Sequence, residues 1–276
     1  MLSAKLVVTL LLSQYVRSQV DRTDPKSQCL WWQDGTVITV EQSAAGNPET
    51  PGQTEFSAIS AAFATWGQQL AACGGGLRFE EAPRTAGRTV AEDGHNVVLF
   101  RQVDCDALVP SCASPRSCGN ERDCWEHAND ALALTTTSYD ATGRITDSDV
   151  EFNTPSFIFT TVDSPACVSP NFHVGCVASD VQNTMTHEAG HLLGLAHSPA
   201  FNSTMSTRAA PGELGKRALD ADSKQFLCEV YRPGPGDKGC VLPAASNTLG
   251  KGGGCAILPG LELGLLGLFL LRRRAR

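Results

Sequence analysis

Three histidines and one glutamate occur together in a run of eleven residues, HEAGHLLGLAH: His187, Glu188, His191 and His197. Residues four apart lie on one face of a helix, so His187 and His191 can approach the same metal ion. Gly194 can adopt the left-handed conformation that ends a helix and turns the chain back, which would bring His197 to that ion. The spacing therefore predicts a single catalytic zinc ion, with three imidazole ligands and a fourth position open for water.

Glu188 lies directly after the first of these ligands, and its predicted role is that of a base rather than a ligand. A carboxylate there can accept a proton from the attacking water and later deliver it to the leaving amine. Together with three histidine ligands, it indicates metal-assisted hydrolysis of a peptide bond. A structural zinc site normally has four protein ligands and does not need Glu188. The alternative function is a surface-displayed, non-catalytic binding protein that retains a structural zinc site.

The zinc motif must be positioned by a folded domain, and the chain predicts its elements. A helix that carries the motif is expected to begin at Ser179, with Gln182 as the capping-box partner. Hydrophobic periodicity predicts an earlier helix at 55–73 and a last helix at 220–231. Apolar and β-branched runs predict strands at 36–40, 77–80, 97–100, 131–136 and 144–152. This mixture of helices and strands indicates one α/β domain over residues 19–232.

Composition and cysteine content indicate which class of protein the 276-residue chain belongs to and in which compartment it folds. Hydrophobic residues make up 42% and the net charge is -7, which is typical of a globular protein and argues against nucleic-acid binding. Eleven cysteines are typical of an exported protein. Ten of them precede the C-terminal segment, and short spacings favour local bridges, although spacing does not determine the pairing. The candidate pairs are Cys118/Cys124, Cys167/Cys176 and Cys228/Cys240.

Both ends of the chain have features of export. Residues 1–18 contain a short apolar run, LVVTLLL, and predict a secretory signal peptide cleaved before Gln19; the alternative is an apolar first strand. Residues 233–254 are rich in Pro and Gly and predict a flexible linker. Residues 255–276 place a cysteine before an apolar stretch and an arginine cluster, an order that resembles the sorting tag of exported myxobacterial proteins. We expect this segment to contact the membrane transiently; a simple membrane anchor is the alternative.

The run HEAGHLLGLAH resembles the extended zinc motif of the metzincin metallopeptidases. Met205 lies eight residues after His197, where that clan has its methionine turn. Ser198 directly follows the third histidine, and a serine at this position resembles the matrixin family. The stretches ALALTTT, TGRITDSDVEFN and LDADSKQFLCEVY are also matrixin-like. The resemblance implies a disulfide-rich α/β (α+β) catalytic domain, with a twisted, mostly parallel sheet, three helices and a cleft above the active-site helix. It also implies a structural role for Met205 and an edge strand at 131–134 to which substrate can add.

The sequence departs from the matrixin pattern at two places. Only 16 residues separate Gln19 from the first predicted strand at 36–40, where the family has a pro-segment with a zinc-capping cysteine. Cys29 is expected in a disulfide, with the capping thiol as the alternative. Ser206 and Thr207 replace the Tyr and Pro that usually follow the methionine, so the family's substrate preference is not carried over.

Three acidic residues, Asp147, Asp149 and Glu151, alternate on a predicted strand and therefore face one way. They could bind a structural Ca²⁺ ion, as the matrixin region that they resemble does. A solvated acidic face is the alternative.

These observations predict a secreted or surface-attached bacterial zinc endopeptidase that acts on extracellular proteins or peptides as a monomer. Its expected catalytic residue is Glu188, and its expected zinc ligands are His187, His191 and His197. A metallopeptidase of another metzincin family is a further alternative.

Overall fold

A computed structural model describes residues 15–24, 26–108, 117–233 and 240. Most of the predicted signal peptide and linker, and all of the segment at 255–276, lie outside these residues. Within the described part of the chain, no helix is long and apolar enough to cross a membrane.

A five-stranded, mostly parallel sheet forms the centre of the fold. The described residues contain nine strands: β1 (Val16–Arg17), β2 (Val37–Gln42), β3 (Arg78–Glu81), β4 (Asn96–Arg101), β5 (Ala133–Tyr139), β6 (Ile145–Asn153), β7 (Phe159–Thr160), β8 (Ser179–Asp180) and β9 (Leu195–Ala196). The main sheet has the order β3-β2-β4-β6-β5, in which only β5 is antiparallel to its neighbour. Every residue of β4 is buried, as expected for a strand inside a parallel sheet. The prediction of a mixed α/β domain with a mostly parallel sheet is confirmed, and β5 lies at the sheet edge.

Four α-helices and three short 3-10 helices complete the described fold. They are α1 (Thr54–Ala72), α2 (Cys118–Arg122), α3 (Val181–Leu192) and α4 (Ala221–Val230), with 3-10 turns at Pro51–Gln53, Cys105–Ala107 and Gly215–Arg217. The buried face of α1 includes Ile59, Phe63, Trp66 and Leu70, at the three-to-four spacing that predicted the helix. The indole of Trp66 donates to the carbonyl of Thr186 at 2.8 Å, which joins α1 to α3.

The start of α3 differs from the sequence prediction. Ser179 and Asp180 form β8, and the Asp180 carboxylate caps the helix by accepting from the backbone N–H of Asn183 at 2.7 Å. Arg217 donates to the same carboxylate at 2.8 and 2.6 Å. The predicted start at Ser179, with Gln182 as capping partner, is therefore wrong, because pairing with β7 holds Ser179 in a strand.

Two of the three local disulfides expected from spacing are wrong. Cys167–Cys176 forms as predicted, and Cys29 is in a disulfide as expected. The described disulfides that replace the other local pairs are Cys29–Cys240, Cys73–Cys228 and Cys105–Cys124, and Cys118 is also disulfide-bonded. The fold brings the end of α1 to α4, so a cysteine pair separated by 155 residues meets where sequence spacing favoured a near neighbour.

The segment from Tyr15 to Ser18 belongs to the folded domain. Strand β1 pairs antiparallel with β9, and the Ser18 N–H donates to the Gly194 carbonyl at 2.9 Å. Tyr15 is only 3% exposed and packs against the ring of Phe226 at a centroid distance of 5.5 Å. The fold thus includes residues that the sequence analysis assigned to the signal peptide, while a signal peptide in the residues before Tyr15 stays a prediction.

Candidate metal centre

Helix α3 brings His187 and His191 together as their four-residue spacing predicts. Their Nε2 atoms lie 3.2 Å apart. The Nδ1 atom of His187 lies 2.7 Å from the carbonyl of Thr204, and that of His191 lies 2.8 Å from the carbonyl of Leu195. A carbonyl oxygen can only accept, so each Nδ1 carries the proton and each Nε2 presents a lone pair. Both lone pairs therefore face the same small space.

The chain reverses at Gly194 and brings in the third histidine. Gly194 has φ +97°, and a Cβ built on it would lie 2.6 Å from the Leu30 carbonyl oxygen, so both backbone conformation and space favour glycine. Strand β9 follows at once, and His197 comes directly after it. Its ring centroid lies 5.3 Å from that of His187 and 4.7 Å from that of His191. The predicted turn therefore brings the three imidazoles together.

The three histidines fit a zinc ion. In a tetrahedral site with Zn–N distances of about 2.0–2.1 Å, ligand nitrogens lie roughly 3.3 Å apart. The 3.2 Å between His187 and His191 matches this value, and one ring nitrogen from each of the three lies within 4.8 Å of the others. Two lone pairs facing each other repel, and a shared cation makes the arrangement favourable. Histidines whose other ring nitrogen donates to a carbonyl are the usual form of metal-ligating histidines.

Burial keeps the two helix histidines neutral. It lowers the pKa of His187 well below its ordinary value, with a further contribution from the neighbouring His191. Burial also lowers the pKa of His191, against the hydrogen bond to the Leu195 carbonyl, which raises it. Neutral imidazoles are the form that binds metal ions.

Glu188 is buried beside the ligands and is held by strand β5. It is 5% exposed, and its Oε2 accepts from the Thr135 hydroxyl at 2.6 Å. Burial raises the pKa of Glu188 to about 7, while the hydrogen bond from Thr135 lowers it. Thr135 could not be identified from the sequence, because nothing in a run of three threonines shows which hydroxyl meets a helix distant in sequence.

Met205 forms the floor below the ligand helix. It is 2% exposed, and a Cβ built on Gly190 would lie 2.3 Å from its sulfur and 3.1 Å from Cζ2 of Trp66. The Met205 carbonyl accepts from the Ser198 N–H at 2.8 Å, which ties the residue after His197 to this floor. These contacts agree with the structural role expected for Met205.

The acidic residues on β6 have protein partners. Asp147 accepts from the N–H of Gly94 at 2.8 Å, and Asp149 accepts from those of Val97 and Ala91 at 2.8 and 3.0 Å. The two oxygens of Glu151 contact Arg101 at 2.6 Å and His127 at 3.0 Å. All three residues are buried, so they are not a solvated face. Calcium binding at these carboxylates stays a prediction, and their visible role is to hold the loop before β4 and the buried Arg101.

A second group with potential ligand atoms, Cys105, Cys118 and Cys124, does not offer thiolates. All three sulfurs are disulfide-bonded. The histidine cluster is therefore the metal-site candidate among the described residues.

A scan against models of protein families finds no match for this chain, and a search of curated proteins also finds none. Its function is accordingly inferred from the residues and geometry of the site.

Proposed function

We propose that this protein is an exported zinc endopeptidase of matrixin-like metzincin type. The observation that carries the proposal is the convergence of His187, His191 and His197 with the buried carboxylate of Glu188 beside them. The mostly parallel sheet, with its antiparallel edge strand next to the ligand helix, is compatible with such a fold.

Glu188 would carry out proton transfer, and Thr135 would position its carboxylate. A zinc ion held by the three histidines would act as a Lewis acid that polarises the scissile carbonyl and acidifies the attacking water. The Glu188 carboxylate would accept the proton of that water and deliver it to the leaving amine. The hydroxyl of Thr135 would hold the carboxylate in position, since it donates to Oε2 from the neighbouring strand.

Strand β5 would align the substrate. It pairs only with β6 among the strands that the structure describes, so its other edge has backbone groups available to an extended peptide. A peptide that adds there as an extra strand would run beside Thr135, whose side chain contacts Glu188. The scissile bond would then lie next to the proton acceptor.

The disulfides support the export part of the proposal. Cys29–Cys240 and Cys73–Cys228 close long stretches of chain, and such bonds persist in oxidising compartments. A sorting or anchoring role for residues 255–276 and a secreted or surface location belong to the same proposal.

The test compares the full chain, folded under oxidising conditions, with its Glu188→Gln and Glu188→Ala variants on an unstructured protein substrate. We expect cleavage that a zinc chelator abolishes and added Zn²⁺ restores. The variants should bind zinc normally but lose roughly 10²- to 10⁴-fold in rate, as is usual for removal of a general base. Glu121→Gln, a change to an exposed glutamate of α2, is the matched control and should cleave like the wild type.

Zinc content measured by metal analysis separates the possible outcomes. Full activity in Glu188→Gln would contradict the assigned mechanism. Stoichiometric zinc without cleavage of any substrate would favour the non-catalytic binding protein instead.

A further inference from the structure

An open pocket of about 410 Å³ adjoins the third histidine. His197 itself lines it, together with Phe201 and the segment from Ser206 to Arg208. Because a metal ligand forms part of the wall, a group that fills the pocket lies next to the reacting carbonyl. In a peptide substrate, that group is the side chain of a residue adjacent to the scissile bond.

Arg208 gives this pocket its charge. It is the only permanently charged residue among the described residues that line the pocket, and it is exposed. Lys216, which contacts the Arg208 carbonyl, is paired with Glu213 at 3.1 Å. Arg217, the next residue in the chain, is paired with Asp180 and Asp163, each at 2.6 Å. Arg208 forms no ion pair with any described residue. Its guanidinium is therefore available to a carboxylate from outside the chain.

The wall that carries Arg208 is held in place. The buried ammonium of Lys216 donates a hydrogen bond to the Arg208 carbonyl. An isolated parallel β-bridge pairs the backbone of Ser198 with that of Ser206. The backbone on both sides of the pocket is thus tied to the protein, which fixes where the arginine side chain starts. Phe201, 85% exposed, supplies an apolar surface along which methylene groups can pack.

We propose that Arg208 makes the peptidase selective for an acidic residue, glutamate above all, next to the scissile bond. The inference rests on the proposed function and adds its substrate class. The planar guanidinium can bind a carboxylate through two hydrogen bonds, and the two methylenes of glutamate can lie along Phe201. The chain as a whole has a net charge of -7, so it does not attract acidic substrates in general. Selection would come from this one pocket.

The test uses the full chain and begins by mapping cleavage sites in a mixture of unstructured peptides by mass spectrometry. Matched peptides then carry Glu, Gln, Leu or Lys at the position found to be selective. We expect kcat/KM to favour Glu over Gln roughly 5- to 30-fold, the range for a partly solvated charge-assisted hydrogen bond. The preference should shrink at high salt, because salt screens an exposed ion pair.

Variants assign the preference to the arginine. Arg208→Ala should cleave the Glu and Gln peptides equally, and Arg208→Glu should prefer the Lys peptide. Arg122→Ala removes an exposed arginine of α2 outside the pocket and should keep the wild-type ranking. Zinc content should be the same in all of them.

Cleavage without an acidic preference, or with a preference that survives Arg208→Ala, would overturn the inference and leave the proposed function standing. Absence of cleavage of every peptide and protein substrate by zinc-loaded protein would contradict the proposed function, and the inference with it.

Discussion

Gly190 in α3 faces Met205 with no room for a side chain, so adding one methyl group there tests the packing below the histidine cluster. The new Cβ of Gly190→Ala would lie 2.3 Å from the Met205 sulfur. That is roughly 1.2–1.7 Å closer than the optimal separation of non-bonded atoms, so the sulfur must move. Met205 is buried on all sides, which limits where its sulfur can move. The new Cβ would also lie 3.1 Å from Cζ2 of Trp66, so the helix cannot relieve the contact by shifting toward that ring.

The expected cost follows from two opposing effects. Overpacking of a well-filled core costs about 1–3 kcal/mol, while alanine in place of a helix-interior glycine gains roughly 0.5–1 kcal/mol. Gly190→Ala should therefore lower the free energy of unfolding by about 1–2 kcal/mol. For a domain of this size, that lowers Tm by roughly 2–8 °C.

Gly67 in α1 provides a matched control. A Cβ at Gly67 would meet only Cδ2 of Phe79, at 4.0 Å, so the same substitution there should stabilise the protein by roughly 0.5–1 kcal/mol. Both variants would be unfolded at equilibrium in guanidinium chloride with disulfides intact, once with chelator and once with saturating zinc. The two conditions separate a packing effect from a change in zinc affinity.

A double-mutant cycle identifies the atom responsible. Met205→Ala alone should cost about 2–5 kcal/mol, as loss of a buried methionine does. Combined with Gly190→Ala, it removes the contact partner and with it the overpacking. The two single losses should therefore sum to about 1–3 kcal/mol more than the double variant shows. If Gly190→Ala stabilised the protein as Gly67→Ala does, or if the cycle showed no coupling, the packing argument would be refuted.

Further predictions concern Glu188, the acidic strand and the start of the domain. Thr135→Val should lower kcat roughly tenfold at unchanged zinc content, because it removes the hydroxyl that donates to Glu188, and Thr135→Ser should restore most of the rate. Burial raises the pKa of Asp149 to about 7, so the folded chain holds this proton more tightly than the unfolded chain. The stability that the protonated Asp149 contributes is complete below the pKa of the unfolded chain and is lost as pH rises through about 7. Asp149→Asn should therefore make the denaturant midpoint of unfolding depend less on pH. A chain that starts at Gln19 should be about 2–4 kcal/mol less stable to denaturant than one that starts at Tyr15, because it lacks a buried aromatic ring and strand β1. Equal stability of the two chains would contradict the assignment of Tyr15 to the core.

The clustering of the three histidines could be predicted from sequence because their arrangement is local. The i, i+4 spacing of His187 and His191 and the glycine at 194 act within a few residues of backbone, and the structure follows both. Helices α1, α3 and α4 were predictable from hydrophobic periodicity and capping residues, and the strands of the main sheet from apolar and β-branched runs, because these signals are local as well. The short helix α2 was not predicted, since its five residues are too few to show a period.

Tertiary structure alone decided what contacts these local elements. The carbonyls of Thr204 and Leu195 orient the rings of His187 and His191. Thr135 reaches Glu188 across 53 residues, and Cys73 meets Cys228. Likewise, the segment after Tyr15 has the composition of a signal peptide's end, yet β1 pairs with a strand about 180 residues away. Such pairings depend on how elements distant in sequence pack against one another. The spacing of neighbouring residues does not determine that packing, whereas helix geometry and a glycine turn depend only on adjacent residues.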